Sequence, residues 1–155
     1  MANLKGEVVA PELRATLNLG LDIRIPPEYI PSESLRLRTY KRIAGIASEA
    51  ERDEARRELE DRFGPPPPPV DHLLDYAVLK ALCEKLLVAS LERRAAHVAI
   101  KFHPQTPLGP EHLVRVVRAG RGLRLDPSGV LWMNLERERE SVTQGVRNVL
   151  LQLQA

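Results

Sequence analysis

The sequence predicts an α+β fold, a small mixed or antiparallel sheet with several helices packed against it in one domain. Three observations carry this. Period-two alternation recurs in "LNLGLDIRI", "AAHVAIKF" and "GLRLDPSGVLWMNL", each reading as strand. Between and around them lie stretches with helical spacing. The order β-α-α-α-β-α-β-β-α lacks the strict alternation of a doubly wound parallel sheet.

At 155 residues, with 43% hydrophobic and 28% charged, the chain has the size and make-up of one soluble globular domain. Residues 1–15 show no sustained period and are expected to be a leader or the tail of a linker, with the domain over 16–155. In "LNLGLDIRI", Leu17, Leu19, Leu21, Ile23 and Ile25 fall on one face, and Pro26 and Pro27 end the strand because proline cannot donate to a ladder. A first helix follows with Ser32 or Ser34 as N-cap and a stripe of Leu35, Tyr40, Ile43 and Ile46. A second opens at Ser48, which with Glu51 forms an S-x-x-E capping box, and closes at Gly64. The apolar run over residues 70–91 reads as a central helix.

Next, "AAHVAIKF" is a strand with Ala96, Val98, Ile100 and Phe102 on one face. A short helix starts at Gly109-Pro110 and stops at Gly120. Two strands then flank Asp126-Pro127-Ser128-Gly129, a type I turn by its Asp, Pro and Gly positions. The closing helix carries Val142, Val146, Val149, Leu150 and Leu153 at steps of three and four.

Composition narrows function. The formal charge is +2, from 23 basic and 21 acidic residues, too balanced to steer nucleic acid or an anionic membrane. Aromatics at 4% argue against a base-stacking platform. One cysteine, Cys83, excludes an internal disulfide and fits a reducing, cytoplasmic setting. His72, His97, His103 and His112 stand in no metal-ligand spacing, and phosphate-loop and nucleophile-elbow motifs are absent. The sequence therefore predicts no catalytic residue, no cofactor and no metal. His103, at a strand end, and Cys83, on an apolar helix, are the only candidates for chemistry, and neither has a visible partner.

Two charged segments remain. "RLRTYKR", residues 36–42, concentrates four positive charges and is either a solvated face or a phosphate-contacting patch. In "RRELEDRFG", with Glu58 set to zero and about 100° per residue, Ala55, Leu59 and Phe63 fall at about 60°, 100° and 140°. Arg62 falls at about 40° and Asp61 at about −60°, so Glu58, Asp61 and Arg62 flank a narrow docking stripe. By geometry alone they are either an interface or a solvated face with a Glu58–Arg62 pair.

The series "IP-x-x-YIP", "R-L-x-x-YKRIA", "E-L-x-DRFG", a proline run and an apolar helix resembles the C-terminal domain of the bacterial transcription-repair coupling factor (Mfd) over about residues 16–154. That resemblance implies a non-catalytic domain of an ATP-driven DNA translocase that displaces stalled RNA polymerase and recruits UvrA. It implies packing against a UvrB-like N-terminal module that masks the UvrA-binding surface, with Glu58, Asp61 and Arg62 in the contact. DNA would be engaged by the parent translocase rather than by this domain. The alternative is a nucleic-acid-binding module using residues 36–42. Residues 65–69, five prolines, exceed the family pattern and read as a stiff spacer.

Overall fold

The computed structural model describes residues 15–120, 122–135 and 141–155. Its elements run β1 (Thr16–Asn18), α1 (Glu33–Ala44), α2 (Glu49–Phe63), α3 (Pro68–Leu86), β2 (Val88–Arg94), β3 (His97–Phe102), α4 (Pro110–Ala119), β4 (Leu123–Leu125), β5 (Leu131–Asn134) and α5 (Val142–Gln154). The five strands form one sheet in the order β1-β2-β3-β5-β4. Only β1 and β2 are parallel; every other pairing is antiparallel. The α+β expectation holds.

Register explains the core. Leu17 stands opposite Leu91, Leu91 opposite Ile100, Ile100 opposite Leu131, and Leu131 opposite Leu125. One apolar rung thus crosses all five strands. Side chains alternate across a strand, so this rung faces α3, α4 and α5 while its neighbours face away. A second cluster joins Ile25, Ile30, Ile43, Ala55 and Leu59 to Val70, Leu74 and Val78 of α3. Helix α3 is the shared spine, its first turns in the helical cluster and its last turns under the sheet.

Two expectations need correcting. The strand expected over residues 17–25 is a ladder only at Thr16–Asn18. Gly20 turns the chain with a φ of 73°, and two tyrosine hydroxyls then take the backbone donors that a ladder would have used. Leu19 N–H donates to Tyr76 Oη at 3.0 Å and Ile25 N–H to Tyr40 Oη at 2.7 Å. Leu19 and Ile25 are buried as the alternation required, but Ile23 is exposed.

The central helix starts earlier and stops sooner than expected. Pro68 and Pro69 lie in its first turn, where a missing N–H costs nothing, so the proline spacer is only residues 65–67. At the other end Leu87 adopts a left-handed conformation, φ 54° and ψ 46°, and residues 88–91 belong to β2. That strand adds one β to the expected order. Of the expected leader, only Ala15 falls among the described residues, and it is buried in the sheet core.

The remaining expectations stand close to their elements. Ser32 caps α1 and Ser48 caps α2. Gly129 N–H donates to Asp126 O at 3.0 Å, closing the type I turn.

Candidate functional site

Helix α2 is docked on one side and open on the other. Its start is fixed by a capping arrangement: Ser48 Oγ accepts from Glu51 N–H at 3.2 Å, and Glu51 Oε1 accepts from Ala47 N–H at 2.8 Å. Ala55 and Leu59 are buried and Phe63 is half-buried, the stripe the 100° spacing predicts. Gly64 ends the helix with a φ of 88°, a region L side chains rarely adopt.

Tyr29 pins this end from outside. Its hydroxyl lies 2.8 Å from Gly64 O and 3.2 Å from Leu59 O, sharing one proton between them. Its ring packs on Phe63 at 5.8 Å between centroids. Burial pushes the Tyr29 pKa above its ordinary value, keeping that donor protonated.

Along its docked side α2 spends its charges on other helices. Arg56 Nε bonds Asp71 at 2.8 Å and Arg52 bonds Asp75 at 2.7 Å, both on α3. Asp75 also accepts from Thr143 Oγ1 at 3.1 Å, and Arg147 pairs with Glu49, which ties α5 to the same edge. A polar cavity of about 250 Å³ lies among these residues.

The open side carries the three predicted residues, although not as one mutual network. Glu58 pairs across to Arg42 of α1 rather than to Arg62, and both partners stay about half exposed. The Arg62 guanidinium lies 5.1 Å from the Phe63 ring centroid. Asp61 is exposed, with no side-chain partner among the described residues. Between the two helices runs a groove of about 170 Å³, with Leu35, Ile43, Leu59 and Phe63 as apolar wall and Arg38, Arg42, Glu58 and Arg62 at its lips.

The basic run of α1 marks Arg38 and Arg42 as candidates for phosphate contact, not as partners of α2. The structure disperses that run. Arg36 Nη1 donates to Ile30 O at 2.8 Å and Pro31 O at 3.0 Å, Arg42 goes to Glu58, and Arg38 and Lys41 are exposed without a partner among the described residues.

A family model described as the TRCF domain matches residues 19–113. The chain belongs to that family. The match contains the whole of α1, α2 and α3, hence the groove and all three predicted residues. The transcription-repair-coupling factor of Escherichia coli is 33% identical over 140 residues, covering 89% of this chain and 12% of that protein. That of Rickettsia typhi is 30% identical over 133 residues, 84% of this chain and 12% of its own. That of Mycobacterium tuberculosis is 40% identical over 90 residues, 58% of this chain and 7% of its own. The chain therefore spans about an eighth or less of these relatives. A crystal structure of the C-terminal domain of a transcription-repair coupling factor superposes with a TM-score of 0.75, at 23% identity, over 91% of this chain and 90% of that one. The TRCF domain described here thus has the fold of that C-terminal domain.

The candidates for chemistry sit elsewhere in the TRCF domain. Cys83 is fully buried, and burial raises its thiol pKa to about 12, far from a reactive thiolate. His103 Nδ1 accepts from Gln105 N–H at 3.0 Å, stabilising its own loop. His72 meets Asp22 O and His112 meets Leu153 O, so both bond backbone. Among the described residues no cluster of His, Cys, Asp and Glu could hold a metal, and no helix is long and apolar enough to cross a membrane.

Proposed function

We propose that this TRCF domain is a non-catalytic regulatory domain of a transcription-repair coupling factor. The parent would be an ATP-driven DNA translocase that displaces stalled RNA polymerase and recruits UvrA. The α1–α2 face packs against the parent's UvrB-like N-terminal module and covers its UvrA-binding surface. The observation that carries this reading is the unequal use of charge on α2. Arg52 and Arg56 are committed to α3, whereas Arg62 lines an apolar groove, Asp61 is exposed and the Glu58–Arg42 pair remains half exposed. Charged groups at such a rim set orientation and on-rate more than affinity, which suits a contact that must open.

The test is a titration of this chain against the isolated UvrB-like module at several salt concentrations, paired with UvrA binding by the full-length parent. Saturable, salt-sensitive binding is expected. Glu58→Lys together with Asp61→Lys in the parent should unmask UvrA binding. UvrA affinity that stays at the wild-type level in that variant would overturn the reading.

A further inference from the structure

Among the described residues, no helix covers the second face of the sheet. Because the rung Leu17–Leu91–Ile100–Leu131–Leu125 points inward, the neighbouring rung Asn18–Glu92–Ala99–Trp132–Arg124 points outward. All sheet residues of the core cluster lie on the inward face. The chain's single tryptophan is therefore on the open face, half-buried, instead of in either core.

That tryptophan is held in place. Its Nε1–H donates to Asp126 Oδ2 at 3.0 Å. The other oxygen of the same carboxylate accepts from Ser128 N–H, Ser128 Oγ and Val130 N–H. Arg124 lies 5.8 Å from the ring centroid, and His97 meets the ring edge-on at 6.4 Å. Ala99, its neighbour in register, is 1% exposed and joins neither core.

The charge on this face is uneven. Lys101 and Arg94 share one carboxylate, Glu92, at 3.5 and 3.8 Å, and Arg124 is engaged with the tryptophan ring. Three cations, Lys101, Arg94 and Arg124, thus stand against two acids, Glu92 and the Asp126 carboxylate at the ring edge. Strands about 4.8 Å apart place Arg124 and Glu92 roughly 14 Å from each other, the span of a short extended chain.

We propose that this open face binds single-stranded nucleic acid, with a base stacking on the Trp132–Arg124 pair and phosphates meeting Lys101 and Arg94. The combination of a π surface with surrounding cations distinguishes this ligand from others of the same charge. An acidic peptide would use the cations and leave the ring idle. A duplex keeps its bases stacked on one another and cannot offer a free face. The surface shares no residue with the α1–α2 groove, so it stands independently of the regulatory reading.

Trp132 is its own reporter, being the only tryptophan in the chain. Titrating the chain with an oligothymidylate at about 50 mM salt should quench its fluorescence saturably, with log affinity falling against log salt at a slope of about −1.4 for two phosphates. Lys101→Glu with Arg94→Glu, both at exposed positions, should weaken binding roughly tenfold. Trp132→Phe should weaken it about fivefold or more while leaving a salt-dependent remainder. The charge-reversal pair keeps the test valid even if the Trp132 variant fails to fold. Absence of quenching, a duplex bound as tightly as the single strand, polyglutamate bound more tightly, or charge-reversed chain bound like wild type would each overturn the proposal.

Discussion

The helical cluster and the sheet cluster share α3 but are held together by different means. Under the sheet, Leu91, Ile100, Leu131, Val146, Leu150 and Leu153 are wholly buried, and the hydrogen bond from Leu19 N–H to Tyr76 Oη lies buried in the same cluster. The helical cluster has roughly half as many buried side chains, and it is stapled at its edges by polar contacts. These are Tyr40 to Ile25, Tyr29 to Leu59 and Gly64, Arg36 to Ile30, Arg52 to Asp75 and Arg56 to Asp71. Apolar burial supplies most of the free energy and resists opening, whereas part-exposed hydrogen bonds and ion pairs contribute about a kcal/mol or less apiece. The region carrying the proposed docking face is therefore the more easily rearranged half of the molecule. A contact that has to be made and released is better placed there than on the sheet.

The largest effect expected is at the centre of the apolar rung. Leu131→Ala should cost about 3–5 kcal/mol, since the site is enclosed on every side and cannot collapse. Leu59→Ala should cost about 2 kcal/mol, because Leu59 borders the groove, and water or a shifted Phe63 can fill the space. Urea denaturation of the two variants checks the contrast. Equal losses would mean that the two clusters do not differ as described.

Local signals explain why some of this was legible in the sequence. Ser48 and Glu51 announce the start of α2, Asp126 to Gly129 announce a turn, and the steps from Val142 to Leu153 announce α5. The end of α3 was not legible, because residues 70–91 are apolar without a Gly or Pro to break them. Only the pairing of β2 with β1 and β3 outweighs helix propensity there, and it does so with a non-glycine residue, Leu87, in the left-handed region. The truncated first strand has the same cause. The hydroxyls that replace its ladder come from Tyr40 and Tyr76, 15 and 57 residues away. In the candidate site the stripe Ala55–Leu59–Phe63 follows from helix geometry, but the partner of Glu58 is on another helix, and no spacing rule within α2 could name Arg42. Low aromatic content also argued against a stacking platform, yet composition cannot tell that the one tryptophan faces outward.

The next effect in size tests the stapling itself. Tyr29→Phe keeps the ring on Phe63 and removes the hydroxyl shared by Leu59 O and Gly64 O, at a cost of about 1–1.5 kcal/mol. Hydrogen exchange should show the loss concentrated in the last turn of α2, with amides of β3 and β5 unchanged. Uniform acceleration across the sheet would show that the two clusters open as one.

On the sheet side the corresponding polar device is Asp126. Four donors hold its carboxylate well below the usual acid range, the Ser128 contacts first among them. A depressed folded pKa means that the stabilisation is complete above the unfolded value, near 3.9, and fades as the pH falls below it. Asp126→Asn should therefore lower stability at neutral pH and converge with wild type in acid. Parallel stability curves down to about pH 2 would show that the turn does not depend on that charge.

The smallest expected change in stability tests the proposed function most sharply. Glu58 and Arg42 form a half-exposed pair, so exchanging them as Glu58→Arg with Arg42→Glu should alter stability by no more than about 0.5 kcal/mol. The swap retains an ion pair between α1 and α2 while reversing the charge that each helix presents at the groove. If the α1–α2 face docks through charge complementarity, binding to the UvrB-like module should fall by an order of magnitude or more, with unfolding curves nearly superimposable. Loss of both stability and binding would instead mark the pair as a structural staple of the helical cluster, equivalent to Arg56–Asp71. Retention of both would leave Asp61 and Arg62, rather than Glu58, as the charges that any partner must meet.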